Sequence, residues 1–363
     1  NPNIIGFKNG IYDLLTNTFR PGVPDDYVSN TLPINYIEFS EEDPRVQDVH
    51  TFLEQIFPDK SMRRYFMDTA SDVFQGGNPE KTIQFWTGDG DNGKSITQTI
   101  FEKMFGNKLA IKLNTTVATG KKPSAGAAFA DLARAGEGTR WVAMEEPDGD
   151  EALNIGILKA VSGGDSYFAR DLYEKGKSAK EIVPMFKIVF VCNKLPAVRN
   201  PDKAFWNRVR VIEFESTFCR PDNPAPETYE EQLRQKRFPM DKKFSQKIPG
   251  MLEPFAWVLL NHRKNITVRI EPEKVRQATE LYRKRNDVYR KFSEECIIEA
   301  PEKYMSSREL YDIFKEWFRE SMPRQPIPIK NDMEEYFVKI WGIPEPGRGW
   351  KGYRQRTVND ALA

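Results

Sequence analysis

The stretch Phe85–Ile100, which reads FWTGDGDNGKSITQTI, decides how the rest of this 363-residue sequence is interpreted. Its glycines, lysine and serine have the spacing Gly-x4-Gly-Lys-Ser of a phosphate-binding Walker A loop. An apolar run precedes the loop and a helical run follows it, which is the strand-loop-helix context that the motif requires. Backbone N–H groups can converge on phosphates there, Lys94 can reach the β and γ phosphates, and Ser95 can hold Mg²⁺. The predicted nucleotide contacts are Gly88, Asp89, Gly90, Asp91, Asn92, Gly93, Lys94, Ser95 and Ile96.

Composition excludes several other classes of protein. The 54 basic and 53 acidic side chains nearly cancel, so any nucleic-acid surface has to be local. Three cysteines and two histidines fit neither a disulfide framework nor a His-based metal site, and they favour a reducing intracellular compartment. No run approaches the roughly 18 apolar residues of a membrane span. The sequence begins at Asn1 rather than a methionine, so we expect it to be part of a longer chain.

A second acidic site is predicted at the end of the apolar run Trp141–Glu146, WVAMEE. An NTPase that uses Mg²⁺ needs carboxylates at the end of a neighbouring strand. We expect Glu145 to bind the metal through water and Glu146 to orient or deprotonate the attacking water. The alternative is a solvated acidic loop end, which is common in proteins.

Two further polar positions lie beside later strands, one after a strand and one before. Asn193 ends the run FKIVFVCN and could sense the γ phosphate, although an asparagine before Lys-Leu-Pro is also typical of a turn. Arg208 lies just before another strand and is a candidate arginine finger for a neighbouring subunit's nucleotide, with Arg210 in reserve. The alternative is that both arginines lie on a solvated strand face.

The order of elements predicts an α/β fold. Strand-like runs alternate with helical segments from Thr82 to Phe214, the pattern of a mostly parallel sheet with helices on its faces. The Pro-rich segment CRPDNPAPETYE marks a boundary, and the helix-breaker-helix pattern near the end, followed by a Gly-rich basic tail, suggests a winged-helix-like module. The predicted divisions are an accessory hairpin and helices (1–75), an ATPase core (76–218), a helical region (219–295) and the winged-helix-like module (296–363).

Taken together, the motifs resemble those of superfamily 3 helicases. More narrowly, the chain is similar to the helicase half of the poxvirus-type primase-helicases of large DNA viruses. The matches are GDGDNGKS, WVAMEEP, FWNRVRVIEF and, most specifically, LKAVSGGDSYFARDLYEKGKSAKEIVPMFKIVFVCNKLP. The flanking regions IIGFKNGIYDL and ELYDIFKEWF also resemble that family, so the resemblance covers nearly the whole chain.

This resemblance implies an AAA+-like core that works as a ring, usually a hexamer. ATP would lie between subunits, and single-stranded or forked DNA would be held in the central channel. By the same resemblance Lys94 and Ser95 are Walker A residues, Glu145 and Glu146 the Walker B pair, Asn193 the sensor and Arg208 a finger acting in trans. A primase region would precede this one in the longer chain, and replication in the host cytoplasm is implied if the source is a large cytoplasmic DNA virus. The roles of Arg134 and Arg140 stay open.

Family members also carry a DNA-contacting β-hairpin before the sensor strand. Here it predicts a basic tip with Lys175, Lys177 and Lys180, whose charges suit a sequence-independent grip on phosphates. The alternative is a solvated charged loop. Phe168 or Tyr173 could stack on bases, although aromatic residues in strands more often belong to the core. A second candidate contact is the tail, which could instead dock on its own domain; it contains Arg348, Trp350, Lys351, Tyr353, Arg354 and Arg356.

Three classes of function remain from the sequence. The leading one is an ATP-driven DNA helicase or translocase. The second is a nucleotide-gated DNA-binding initiator or loader that does not separate strands. The third is a P-loop kinase or phosphotransferase, for which no acceptor site is evident.

Overall fold

The computed structural model describes residues 1–120, 130–136, 138–147, 151–169, 180–199, 201–323, 327–357 and 360. The chain divides into two compact units, Asn1–Tyr282 and Arg283–Ala363. The four-part division predicted from the sequence is finer than this and stays a prediction. Among the residues that the structure describes, none of the helices is both long and apolar enough to cross a membrane.

The first unit opens with a small antiparallel sheet and two capped helices. The predicted hairpin is present, with Ile4 opposite Asp13 across its first two strands. Each helix is preceded by an aspartate that accepts hydrogen bonds from free N–H groups of the first turn. The elements are β1 (Ile4–Phe7), β2 (Gly10–Asp13), β3 (Thr18–Arg20), α1 (Pro44–Ile56) and α2 (Lys60–Ser71), with 3₁₀ turns at Pro24–Asp26 and Asp72–Phe74.

Strands and helices then alternate through the middle of the chain. The strands Ile83–Thr87, Trp141–Glu145 and Lys187–Val191 are short and almost entirely buried, which explains their near-continuous apolar sequence. The elements are β4 (Ile83–Thr87), α3 (Lys94–Leu109), β5 (Ala110–Leu113), α4 (Thr116–Thr119), α5 (Ala130–Arg134), β6 (Trp141–Glu145), β7 (Ala152–Asn154), α6 (Ile155–Gly163), β8 (Tyr167–Ala169), β9 (Lys180–Ile182), β10 (Lys187–Val191), β11 (Ala197–Arg199), α7 (Lys203–Trp206) and β12 (Val209–Glu213).

Five of these strands form a parallel sheet in the order β12-β4-β10-β6-β5. Ile83 at the start of β4 lies opposite Ile188 of β10 and Val209 of β12. Because all five strands run in one direction, their carboxyl ends share one edge of the sheet, where α/β proteins bind ligands. The α/β fold with a parallel central sheet is therefore confirmed.

The remaining elements of the first unit pack on the sheet and around the loop at its edge. They are β13 (Thr217–Cys219), α8 (Tyr229–Gln235), β14 (Arg237–Pro239), α9 (Phe244–Lys264) and α10 (Glu273–Arg285), whose last turn passes into the second unit. Helices α1, α2, α3 and α9 pack on the face that carries Trp86 and Trp141. The opposite face carries Phe85 stacked on Phe190, with ring centroids 4.8 Å apart. Alternate side chains of each strand thus fill two separate cores.

Arg140 has a structural role in this unit. Its guanidinium is buried and donates hydrogen bonds to the carbonyl oxygens of Ile4 (3.2 Å) and Asn1 (3.4 Å). Burial lowers the pKa of Arg140 to about 10. The side chain therefore ties the amino-terminal sheet to the start of β6. The role of Arg140, which the sequence left open, is structural.

The second unit has its own aromatic core. Phe292, Phe314, Phe337 and Trp350 are buried there. Ser306 caps the helix Ser307–Ser321 by accepting a hydrogen bond from the Glu309 N–H. The two strands pair antiparallel. The elements follow the order helix-strand-helix-helix-strand, and the winged-helix-like assignment stays a prediction; they are α11 (Val288–Cys296), β15 (Ile297–Met305), α12 (Ser307–Ser321), α13 (Lys330–Trp341) and β16 (Trp350–Gln355).

The buried Lys187 predicts how stability depends on pH. Its ammonium donates to the Gln75 carbonyl oxygen, and burial lowers its pKa to about 7. An unfolded lysine has a pKa near 10.4, so the unfolded chain binds more protons than the folded chain between about pH 7 and pH 10. Stability of the wild type should therefore rise with pH through this window. The variant Lys187→Met lacks this rise. The free energy of unfolding of the variant minus that of the wild type should therefore be more positive near pH 6 than near pH 9.5.

Urea unfolding of both proteins at the two pH values measures this difference. Lys108→Met, at an exposed lysine of α3, is the matched control and should show the same difference from wild type at both pH values. A pH-independent difference for Lys187→Met would contradict the prediction.

Candidate functional site

The predicted Walker A loop joins a buried strand to a helix. The loop leaves β4 at Thr87, and α3 begins at Lys94. Gly88 has φ +144°, and a Cβ at this position would lie 2.6 Å from the Phe214 carbonyl oxygen. Gly93 has φ +84°, and a Cβ there would overlap Ile56 of α1. Both glycines are therefore required by backbone conformation and by close packing.

Lys94 lies inside this loop rather than pointing into solvent. Its ammonium donates to the carbonyl oxygen of Gly88 (2.5 Å) and to Oδ1 of Asn92 (3.2 Å). The residue is 5% exposed, and this burial lowers its pKa. The negative charge of the Glu146 carboxylate instead raises the pKa of Lys94. A cation held this way can exchange loop oxygens for phosphate oxygens without a large movement.

The two predicted Walker B carboxylates diverge. Glu145 ends β6, and its Oε1 lies 2.6 Å from the ammonium of Lys112 on the adjacent strand β5. Glu146 instead accepts hydrogen bonds from the backbone N–H groups of Asn193 (2.9 Å) and Lys194 (3.2 Å). The structure thus brings Glu146 toward Lys94 and Asn193, and it turns Glu145 toward β5. Neighbouring residues at a strand end point in different directions, which explains the divergence.

Asn193 connects the ends of three strands. It follows β10, its carbonyl oxygen accepts a hydrogen bond from the Thr87 hydroxyl (3.2 Å), and its N–H donates to Glu146. The Asn193 side chain is exposed. Because its backbone is held from both sides, the amide group is presented at the same edge as the Walker A loop.

Arg208 lies at the opposite edge of the sheet. Its carbonyl oxygen accepts a hydrogen bond from the Ile83 N–H (2.8 Å), at the start of β4, whereas the loop follows the end of β4. Five strand residues separate these points by about 16 Å. Its Nη1 donates to the Ala204 carbonyl oxygen (2.6 Å), and its buried Nε has no hydrogen-bond partner among the described residues. Arg208 therefore does not meet the nucleotide loop of its own chain.

The guanidinium of Arg210, the reserve candidate, already forms an ion pair. Its Nε lies 2.5 Å from a carboxylate oxygen of Glu271. This ion pair is partly buried on both sides. The geometry thus favours Arg208 over Arg210 as the residue that is available to another molecule.

An apolar pocket that no sequence pattern indicates lies beside the loop. It has a volume of about 400 Å³ and is bounded on one side by Asp91–Ile96. Its apolar wall consists of Phe52, Ile56, Phe218, Met240 and Phe244. An apolar pocket next to a phosphate loop can accept a nucleobase. These residues are scattered in sequence, so no spacing pattern could have revealed them.

The Pro-rich segment that marks a predicted boundary lies between two strands that meet at this pocket. Thr217 of β13 pairs with Arg237 of β14, and the Phe218 N–H donates to the Asp91 carbonyl oxygen (2.7 Å). The guanidinium of Arg220 lies 3.1 Å from the Asp91 carboxylate. The residues that flank the segment therefore help to hold the nucleotide loop.

Mg²⁺ stays a prediction, with Ser95 and Glu145 as its predicted oxygen ligands. Ser95 is exposed in the first turn of α3, and Glu145 lies at the same edge of the sheet. Among the described residues, no group of three or more His, Cys, Asp or Glu side chains could hold a metal by itself. Mg²⁺ commonly takes only one or two protein oxygens and completes its shell with water and substrate phosphates. Glu145 can join such a shell once it leaves Lys112.

Only the stem of the predicted DNA-contacting hairpin lies within the described residues. Tyr167 of β8 pairs with Ile182 of β9 in antiparallel register, and Lys180 pairs with Ala169 through its backbone. Phe168 projects from this stem and is 66% exposed. Tyr167 is anchored instead, because its hydroxyl donates toward the carbonyl oxygens of Leu132 and Ala135. Lys175, Lys177 and Tyr173 lie outside the described residues.

The aromatic residues of the basic tail pack within their own unit. Trp350 is 2% exposed, and its indole N–H donates to the Gly342 carbonyl oxygen (2.8 Å). Tyr353 stacks on Trp341 with ring centroids 4.0 Å apart. Arg354 forms a two-pronged ion pair with Asp360. These three side chains serve the fold of the module, whereas Lys351 and Arg356 are exposed.

Comparison with known proteins gives consistent matches. Residues 1–61 match the family model described as "D5 N terminal like". A protein named putative helicase 184R, from Invertebrate iridescent virus 6, is 39% identical over 361 residues, which cover 94% of this chain and 36% of the relative. Putative helicase 022R of Frog virus 3 is 35% identical, covering 97% of this chain and 42% of the relative. Putative primase C962R of African swine fever virus is 27% identical, covering 88% and 33%. The chain therefore spans less than half the length of these relatives.

The position of Lys94 leads to a binding prediction. Lys94→Ala removes a charge-assisted hydrogen bond to phosphate, so we expect nucleoside triphosphate affinity to fall about ten- to a hundredfold. Titration with a fluorescent ATP analogue measures the change. Lys108→Ala, at an exposed lysine near the far end of α3, is the matched control and should bind like the wild type. Wild-type affinity in Lys94→Ala would remove the site assignment.

Proposed function

Because this chain is a relative of the D5-type primase-helicases of large DNA viruses and corresponds to their helicase half, we propose that it is the ATP-hydrolysing part of a superfamily 3 DNA helicase. In this proposal it works as a homo-oligomeric AAA+ ring, a hexamer, that holds single-stranded or forked DNA in its central channel. A primase region in the same longer chain is part of the proposal. The predicted intracellular location, at a viral replication site, also stays a prediction.

The observation that carries the proposal is the separation of Arg208 from the Walker A loop. The two lie at opposite edges of one parallel sheet, about 16 Å apart. A guanidinium placed there can complete a nucleotide site only on another copy of the chain. A head-to-tail arrangement that repeats this contact closes into a ring when the rotation allows it. The split site thus supports an assembly in which each interface holds one ATP.

Each residue of the site has a role that its position supports. Lys94 exchanges its loop acceptors for phosphate oxygens, and the apolar pocket takes the base. Glu146, held by the N–H groups of Asn193 and Lys194, is positioned to orient the attacking water. Ser95 and Glu145 would hold Mg²⁺, which when bound neutralises charge on the phosphates. Asn193 senses the γ phosphate, and Arg208 of a second copy stabilises the charge that develops during hydrolysis.

DNA contact is assigned to the hairpin that begins with the β8–β9 stem. Lys175, Lys177 and Lys180 would grip phosphates, and the exposed ring of Phe168 would stack on a base. Hydrolysis would then move the hairpin along the strand. A nucleotide-gated initiator or loader would share the same site chemistry, and only strand separation distinguishes the two. Unwinding of a forked duplex by the oligomer tests this difference, and ATPase activity without unwinding would favour the initiator.

Mixing two inactive variants tests the shared site. Arg208→Ala and Glu146→Gln should each hydrolyse ATP poorly, because each removes one half of every interface. When they are mixed, a Glu146 from one subunit meets an Arg208 from the next at up to about a quarter of interfaces, so activity should partly return. The measurement is steady-state ATPase activity across mixing ratios.

A mixture of Lys94→Ala with Glu146→Gln is the matched control for this experiment. Both variants damage the same half of the site, so mixing them restores no complete interface and should restore no activity. If all variants assemble but the mixture of Arg208→Ala with Glu146→Gln recovers no activity, Arg208 does not act as a finger in trans.

Removing charge from the hairpin should weaken DNA binding without changing basal hydrolysis. We expect Lys175→Ala/Lys177→Ala to flatten the slope of log affinity against log salt by roughly one for each phosphate that the variant no longer neutralises. Fluorescence anisotropy with a labelled single strand at several salt concentrations measures the slope. Lys103→Ala/Lys108→Ala, at two exposed lysines of α3, is the matched control. An unchanged slope in the hairpin variant would remove the hairpin assignment.

A further inference from the structure

Two exposed apolar side chains lie side by side in the segment between α9 and α10. Val268 is 63% exposed and Ile270 is 67% exposed. The segment Thr267–Glu271 belongs to no helix or strand, and none of its backbone groups is hydrogen-bonded to another described residue. Scattered exposed apolar residues are common on protein surfaces, so exposure alone assigns nothing.

What distinguishes this segment is that the Arg269 side chain tethers it to the rest of the unit. Arg269, between the two apolar residues, points the other way and is partly buried. Its guanidinium lies 2.6 Å from the Asp72 carboxylate and 2.8 Å from the Glu80 carboxylate. Val268 and Ile270 are therefore presented outward from an anchored backbone.

The segment also shares an edge of the molecule with Arg208. Glu271 pairs with Arg210, two residues beyond Arg208. On the other side, Arg269 holds Glu80, three residues before Ile83, whose N–H donates to the Arg208 carbonyl oxygen. We call this surface the finger edge: Glu80–Ile83, Arg208–Arg210 and Thr267–Glu271.

We propose that Val268 and Ile270 are contact residues between neighbouring copies of this chain, with a second copy as their occupant. The inference rests on the proposed function, since Arg208 reaches a nucleotide only when the finger edge is covered by the next copy. Covering that edge removes the two side chains from water, which is the main favourable term in protein association. The contact joins different surfaces of the two copies, because the finger edge of one faces the nucleotide-loop edge of the other.

Charge placed on these positions tests the proposal. In Val268→Asp/Ile270→Asp the apolar contact becomes two buried carboxylates, so we expect the protein concentration at half-assembly to rise at least about tenfold. Sedimentation of the full chain with a non-hydrolysable ATP analogue and Mg²⁺ measures assembly. Ile343→Asp, at a residue that is 88% exposed in the other unit, is the matched control and should assemble like the wild type.

Two further measurements separate the outcomes. The variant Val268→Asp/Ile270→Asp should keep the wild-type thermal midpoint. At protein concentrations where both proteins are monomeric, it should bind the ATP analogue as tightly as the wild type, because the Walker A half of the site is untouched. Val268→Leu/Ile270→Leu, which keeps apolar contact, should assemble normally. Normal assembly of a folded Val268→Asp/Ile270→Asp protein would overturn this contact while leaving the shared site intact. Failure of the wild type to assemble with the analogue would overturn the shared site as well.

Discussion

The parallel pairing of β4 with β10 and β12 is the constraint on which the rest of the structure depends. It places Ile83 beside Ile188 and Val209, so the three strands start together and end together. Every residue that follows a strand then lies at one edge of the sheet, and every residue that precedes a strand lies at the other. The nucleotide loop, Glu146 and Asn193 follow strands, whereas Arg208 precedes one. The division of the site between two edges, and in our proposal between two copies, follows from this register.

Hydrogen bonds hold the charged groups at the loop edge of the sheet in place. Loop carbonyls and the Asn92 amide oxygen hold the buried ammonium of Lys94, and backbone N–H groups after β10 fix Glu146. These contacts orient charged groups before a ligand arrives, which reduces the reorganisation that binding requires. Glu145 is the exception, because its ion pair with Lys112 has to open before its carboxylate can reach a metal. An exposed ion pair contributes little stability in water, so opening it costs little free energy.

Much of the fold and part of the site follow from sequence, because local patterns encode them. Buried parallel strands leave continuous apolar runs, and the Walker A loop has a fixed spacing that its backbone conformation requires. What local patterns do not encode is which distant segments meet. The apolar pocket combines α1 with residues around Phe218 and Phe244, and Lys112 faces Glu145 only because β5 lies beside β6. The sequence leaves the role of Arg140 open, and only the structure shows that it is buried and hydrogen-bonded to the amino-terminal sheet.

In our proposal, the nucleotide site is completed by a second copy of the chain. A structure of the assembled chain with an ATP analogue and Mg²⁺ tests it most directly, through the distance from the Arg208 guanidinium to the nearest γ-phosphate oxygen. We expect this distance to be about 3 Å, measured to the nucleotide that the neighbouring copy binds. An Arg208 that faces solvent in the closed assembly, while another residue contacts that phosphate across the interface, would contradict it.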